Sequence, residues 1–326
     1  MTETDDMGTK WTHSAQQQVR ADVRQVLEAD SISQKRASRE IGCAESTWSA
    51  WFKESYNGTP AKAADIAEKT ASWLKARREK ASLARVLPPE PGYQETITGN
   101  KIWSLLQFCH HTAGFGVVAM GPGVGKTTAI EAYRASANNV WIMTAEPIIA
   151  GPRAALIELA EVMGVTPRHA SRRSDAIQQR LRGNGALVIV DEAQHLTTAA
   201  LDQLRSIRDK AKSSLVIVGD QTVYSKLVDD GEKGKLARLY SRVGQKCLGD
   251  RPLDQDVAVI AAALGVSGSK ELNILRRIAQ KPGALRGVVM TVRLASVIAS
   301  GYEESLSARH ITEAWEQLGA QALEAA

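Results

Sequence analysis

An apolar run that halts at a glycine-rich turn and restarts as a helix constrains this chain more than any other feature. Phe115-Gly116-Val117-Val118-Ala119-Met120 leads straight into Gly121-Pro122-Gly123-Val124-Gly125-Lys126-Thr127-Thr128, and a helical pattern then runs from Ala129 to Ala137. A strand, a tight turn and a helix N-terminus in that order direct backbone N–H groups into one concavity, which suits a polyphosphate. Lys126 is placed to reach the β- and γ-phosphates of a nucleotide such as ATP, and the Thr127 hydroxyl to take a position on Mg²⁺. The full pattern has glycine five residues before Gly125. Met120 stands there instead, so a slightly altered loop entrance is expected.

A second run, Leu187-Val188-Ile189-Val190, ends in the carboxylates Asp191 and Glu192. Unbroken branched residues mark a central parallel strand covered by helices on both faces. Asp191, at the strand's carboxyl edge, is expected to hold Mg²⁺, and Glu192 to polarise the attacking water as general base. Strands are predicted over Gly116–Met120, Val140–Thr144, Leu187–Asp191, Leu215–Gly219 and Gly244–Leu248. Their alternation with amphipathic helices predicts an α/β unit built on a parallel five-stranded sheet.

With 326 residues, 44% hydrophobic and 24% charged, the chain can bury one full α/β core and smaller domains besides. No apolar run approaches the ~20 residues of a membrane helix, and the start Met1-Thr2-Glu3-Thr4-Asp5-Asp6 is too polar for a signal peptide. A soluble, cytoplasmic protein with no membrane partner is therefore expected. Cys43, Cys109 and Cys247 are scattered and fit neither a disulfide framework nor a zinc site. The formal charge of +5 permits a nucleic-acid partner without requiring one.

Four sections are expected: a helical domain over 1–80, a proline-rich linker over 81–100, the α/β core over 101–250 and a helical lid over 251–326. In the first, Ser31 to Gly42 followed by Ala44 to Lys53 reads as a helix-turn-helix. Ile41, Trp48 and Phe52 supply packing, and Gln34, Lys35, Glu45, Ser46, Thr47 and Ser49 are left to face DNA. A small protein-interaction domain shows the same pattern. Acidic and basic residues nearly cancel there, so affinity from phosphate neutralisation alone is expected to be weak and salt-dependent.

Further along the chain, residues resemble the working parts of AAA+ P-loop ATPases. Leu215-Val216-Ile217-Val218-Gly219 ends at Asp220, where that class usually carries Asn to place the hydrolytic water. The carboxylate's charge opposes that of the phosphate, so slow intrinsic hydrolysis is expected. Arg238 and Arg242 lie four apart on one helix face. Arg242 resembles the finger that one subunit offers to its neighbour's ATP, although a surface ion pair is the plainer alternative. Lys281-Pro282-Gly283-Ala284-Leu285-Arg286 opens a helix, and Arg286 matches the lid arginine that senses the γ-phosphate.

Taken with Tyr56-Asn57-Gly58, Asn138-Asn139-Val140-Trp141, Asp191-Glu192-Ala193, Val223-Tyr224-Ser225 and Ala279 to Arg286, these motifs resemble the Mu B family of transposition proteins over nearly the whole chain. The resemblance implies an ATP- and Mg²⁺-dependent ATPase that binds double-stranded DNA with little sequence preference. It also implies assembly as a homo-oligomeric helical filament that delivers target DNA to a transposase, with hydrolysis driving release and target immunity. Basic loops facing the filament axis would carry the DNA contact, with Arg168, Arg172 and Arg173 in the loop 167–173 and Lys233 and Lys235 in the loop 231–235 as candidates; each has an ordinary solvated loop charge as its alternative. Two other readings stay open: a nucleotide-switched helix-turn-helix transcriptional regulator, and a helicase-loading AAA+ ATPase.

Overall fold

The computed structural model describes residues 10–166, 169–232 and 243–319. Contacts divide the chain into two compact units, Met1–Leu87 and Pro88–Ala326.

The first unit contains four helices among the described residues: α1 (His13–Ala29), α2 (Gln34–Ile41), α3 (Glu45–Phe52) and α4 (Pro60–Val86). Ser33 caps α2 by accepting the Arg36 N–H, and Gly42 ends it in the left-handed region at φ +78°. The α2–turn–α3 arrangement therefore forms where the sequence places it. Ala37, Trp48 and Trp51 are fully buried, and Trp48 stacks on Phe52 with ring centroids 5.0 Å apart. The indole N–H of Trp48 donates to Thr70 Oγ1 at 3.2 Å, which ties α3 to α4. Lys35 is exposed, whereas Thr47 and Ser49 are only half-exposed. The stretch expected as a linker, 81–100, is extended only over 87–96. Residues 75–86 are good helix formers with no glycine or proline, so α4 continues until the prolines after Leu87 stop it.

The second unit is a wholly parallel sheet with helices on both faces. Its strands are β1 (Phe115–Met120), β2 (Val140–Thr144), β3 (Leu187–Asp191), β4 (Ser214–Gly219) and β5 (Gln245–Gly249), in spatial order β2-β3-β4-β1-β5. Alternation along each strand serves two cores. Val117, Ala119, Val188, Val190, Leu215 and Ile217 face one side, and Val118, Met120, Leu187, Ile189, Val216 and Val218 the other. This explains why β1, β3 and β4 read as unbroken apolar runs: each residue there is buried on one face or the other. Helices α5 (Ile97–Thr112) and α6 (Lys126–Ser136) cover the second face. The first face is covered by α7 (Pro152–Val162), α8 (Arg173–Leu181) and α9 (Thr198–Ala211).

Helix α10 (Gln221–Glu232) follows β4, so Gly231 and Glu232, expected in a loop, end a helix. The expected loop before α8 is likewise shorter than its charges suggest. Residues 170–172 form a 3₁₀ turn, Arg172 is exposed, and the half-buried Arg173 is the first residue of α8.

Beyond β5 come α11 (Asp254–Ala263), α12 (Ser269–Ala279), α13 (Ala284–Gly301) and α14 (Ala308–Gln317), packed around Val257, Leu275, Ile278, Val288, Val292 and Ile311. Among the described residues α13 alone is long and apolar enough to cross a membrane, a stretch the sequence reading passed over. Its Leu285, Val288, Val292, Ala295 and Ala299 pack inward, and Arg286 and Arg293 lie on it, so it is the central helix of this bundle.

A buried carboxylate joins the bundle to α5. Asp256 of α11 accepts from the Thr98 N–H (3.2 Å), the Thr98 hydroxyl and the Leu253 N–H (3.0 Å), with no exposure of its own. Replacing it strands buried donors. Asp256→Ala is expected to lower the unfolding free energy by about 2 kcal/mol or more, read from urea denaturation followed by circular dichroism.

Candidate nucleotide-binding site

The site follows from the direction of the strands. Because all five are parallel, the segments leaving β1, β3 and β4 emerge at one edge, outside their carboxyl ends, where open α/β sheets bind ligands. There the Gly121–Thr128 loop meets Asp191, Glu192 and Asp220.

Glycines in the loop are required by close approach. Gly123 sits at φ +78°, and a Cβ on it would lie 2.1 Å from the Gly283 carbonyl oxygen. At Gly121 a Cβ would lie 2.0 Å from the Asp250 carbonyl oxygen. Met120 is the last residue of β1, its side chain buried in the core and its position paired with Gly249. The close approach falls at Gly121, and methionine at 120 ends β1 with its side chain in the core.

Gly125 caps α6, so that Lys126 and Thr127 start the helix with their backbone N–H groups free of intrahelical partners. Lys126 is buried, and its ammonium donates to the Met120 and Gly121 carbonyls at 2.9 Å each. Burial pulls its pKa down from the usual lysine value, against the pull of the nearby Glu192, Asp191 and Asp220 carboxylates. Asp191 is 2% exposed, and burial pushes its carboxyl up from the ordinary carboxylate range. The Thr127 hydroxyl, donating to Asp191 Oδ2 at 2.8 Å, and the Glu192 N–H, donating to Oδ1 at 2.9 Å, oppose that rise.

The Thr127–Asp191 contact also tests the expected metal position. A hydroxyl and a carboxylate oxygen 2.8 Å apart are hard donors within reach of one small ion. Among the described residues no cluster of three His, Cys, Asp or Glu could cage a metal. The donor set therefore fits Mg²⁺ held by one carboxylate, one hydroxyl and phosphate oxygens, its usual arrangement in phosphoryl-transfer sites.

Glu192 takes a left-handed backbone conformation, φ +51°, at the end of β3, and its side chain accepts from the Gln194 amide. Asp220 lies half-exposed at the end of β4, and its Oδ1 accepts from the Thr222 N–H at 2.9 Å and from the Thr222 hydroxyl. It thereby caps α10.

Residues 122–128, Glu192 and Asp220, but not Asp191, line a cavity of about 720 Å³ together with Arg286 and Arg293 of α13 and residues 90–94 of the extended segment. The lid arginine thus reaches the same cavity as the loop. The first turn of α13 touches the loop directly, the Leu285 N–H donating to the Gly123 carbonyl at 3.0 Å. Sequence reasoning missed the contribution of residues 90–94. Tyr93 there stacks on Trp103 at 5.5 Å, and Glu90 pairs with Arg293 at 2.6 Å, closing the side of the cavity. An aromatic amid Pro91 and Gly92 is the only local signal, and it has no spacing rule. Gln194 also lines the cavity unheralded.

Arg168, Lys233, Lys235, Arg238 and Arg242 lie outside the described residues. Lys35, Thr47 and Ser49 belong to the first unit, and Arg172 and Arg173 to the start of α8, so none of them lines the cavity.

Comparisons with known proteins agree with this architecture. Residues 241–318 match the family described as Mu B transposition protein, C terminal, and residues 109–227 match an AAA domain. The ATP-dependent target DNA activator B of Escherichia phage Mu is 35% identical over 302 residues, covering 92% of this chain and 95% of the relative. The Mu-like prophage FluMu DNA transposition protein B of Haemophilus influenzae is 32% identical over 273 residues, covering 82% of this chain and 93% of that one. Among solved structures, the Aeropyrum pernix ORC1 protein in complex with DNA aligns with a TM-score of 0.51 at 17% identity, over 72% of this chain and 68% of that one; it shares the fold.

The loop–lid contact makes a direct prediction. A methyl at residue 123 collides with a carbonyl and forces a side chain into a left-handed conformation, costing ~1–3 kcal/mol. Gly123→Ala is expected to weaken ADP binding roughly tenfold by calorimetry. Unchanged affinity would show that the contact is dispensable.

Proposed function

The chain belongs to the Mu B transposition protein family, and from that premise we propose that it is an ATP-hydrolysing, ATP-dependent DNA-binding protein that activates target DNA for a transposase. The observation that carries the ATPase reading is the Thr127–Asp191 hydrogen bond, which brings the phosphate-binding helix and the carboxyl end of β3 to one point. Lys126 contributes positive charge where the β- and γ-phosphates lie. Backbone N–H groups at the start of α6 bind phosphate oxygens, and Arg286 approaches from the lid. Thr127 and Asp191 would hold Mg²⁺, which would supply charge neutralisation to the phosphates. Glu192 draws the proton from a water as its oxygen bonds to the γ-phosphorus, while the bond from that phosphorus to the β–γ bridging oxygen breaks and ADP leaves. Asp220 accepts a hydrogen bond from that water while its negative charge slows turnover.

The remaining parts of the proposal concern assembly. Arg242 is offered to a neighbouring subunit's ATP, a heterologous contact that generates a helix when it does not close into a ring. ATP-bound subunits then coat double-stranded DNA as a filament in the host cytoplasm, and the transposase triggers hydrolysis and release, which underlies target immunity. Backbone-directed charges, including Arg168, Arg172, Arg173, Lys233 and Lys235, account for low sequence preference. The helix-turn-helix residues Lys35, Thr47 and Ser49 are a second DNA surface. Protection of one short operator without nucleotide would favour the regulator reading instead.

The decisive experiment measures ATP turnover and DNA coverage together, with filaments viewed by electron microscopy. Lys126→Ala is expected to lose nucleotide binding and DNA coverage at once; coverage without nucleotide would overturn ATP-dependent assembly. Glu192→Gln is expected to bind ATP, to lose turnover by roughly 10²-fold or more and to dissociate slowly from DNA. Mixing Arg242→Ala with Glu192→Gln subunits is expected to restore some turnover, and failure to recover at every ratio would place Arg242 outside the catalytic junction.

A further inference from the structure

Between Glu192 and the end of β4 lies a side chain that no motif assigned. Gln194 stands in the 3₁₀ turn Ala193–His195 and donates from Nε2 to Glu192 Oε2. Its Oε1 accepts the Asp220 N–H at 3.4 Å. One neutral amide thus spans the ends of β3 and β4 and lines the cavity beside Lys126, Glu192 and Asp220.

The turn that carries it is held from two sides. Lys226 Nζ, from α10, donates to the Gln194 carbonyl at 2.6 Å. At Gly219 a Cβ would lie 2.6 Å from Gln194 Oε1, so the last residue of β4 leaves room for the amide only because it is glycine. Asp220, meanwhile, has Oδ1 committed to the Thr222 N–H and hydroxyl. Residue 220 therefore serves as a helix cap and lacks an amide of its own; the amide at this point comes from residue 194.

A carboxylate acting as base must stay ionised and point at its water. Glu192 has a left-handed backbone, so regular strand geometry does not aim its side chain. A neutral N–H donor fixes the direction of a carboxylate without the full charge of a lysine or arginine, which would pair with it. We infer that Gln194 is a positioning residue for hydrolysis, holding the Glu192 carboxylate in line for the attacking water. The inference rests on the assignment of Glu192 as general base.

The test uses the full chain with ATP, Mg²⁺ and DNA. Gln194→Ala is expected to lower kcat roughly tenfold to hundredfold while leaving ATP affinity within about twofold. Gln194→Glu, nearly isosteric with the native residue, replaces the N–H that Glu192 accepts with an acceptor oxygen and sets a like charge beside it. Its kcat is expected to fall at least as far as that of Gln194→Ala although the side-chain volume is kept, a loss that a purely structural role would not produce. The glutamate variant keeps the test open if the alanine variant fails to fold. Wild-type kcat in Gln194→Ala or in Gln194→Glu, with Glu192→Gln inactive, overturns the inference alone. Normal turnover by Glu192→Gln overturns the base assignment, and the inference with it.

Discussion

A lysine ammonium held away from water organises this molecule's chemistry. Lys126 keeps its charge inside the fold through two loop carbonyls and the field of three carboxylates contributed by β3 and the end of β4. Burying a lone cation costs heavily, so the loop must curl around it and the strands must deliver negative charge to it. A triphosphate fits this arrangement because it brings negative charge to a place where a desolvated positive charge is already fixed. The same low-polarity surroundings that make Lys126 costly make its attraction for phosphate strong.

A second dependence runs from loop to lid. Gly123 contacts the turn at Gly283 so closely that no side chain fits between them, and the Leu285 N–H closes on the Gly123 carbonyl. The loop therefore touches the first turn of α13, which also carries Arg286. The Asp256–Thr98 junction gives the bundle a fixed anchor at its other end. Loop and lid are thus joined by direct contact at Gly123, Gly283 and Leu285.

Much of this was legible in the primary structure because the chemistry is local. Residues 121–128 are contiguous, and the unbroken apolar runs of β1, β3 and β4 could only be strands buried on both faces. The five strands lie within a residue or so of their predicted bounds. The reading went astray where no short-range rule applies. Helix α4 ran on through residues 81–86 because nothing in that stretch breaks a helix, although prolines nearby suggested a linker. Residues 90–94 reach the cavity only because the chain crosses beneath α13, and that crossing leaves no periodicity to detect. Gln194 escaped notice because its partner Asp220 is supplied by a different strand.

What the amino-acid order determined alone is the kind of site: a strand, a glycine turn, a lysine and a helix in succession admit few structures besides a phosphate cradle, and branched runs ending in acids admit few besides a covered parallel sheet. Tertiary structure decided which residues meet there. It set Gly121 against the Asp250 carbonyl, set Thr127 on Asp191, committed Asp220 to capping α10 and brought Gln194 against Glu192. Those outcomes depend on the order of strands across the sheet. That order follows from packing between segments distant along the chain, and local sequence carries no record of it.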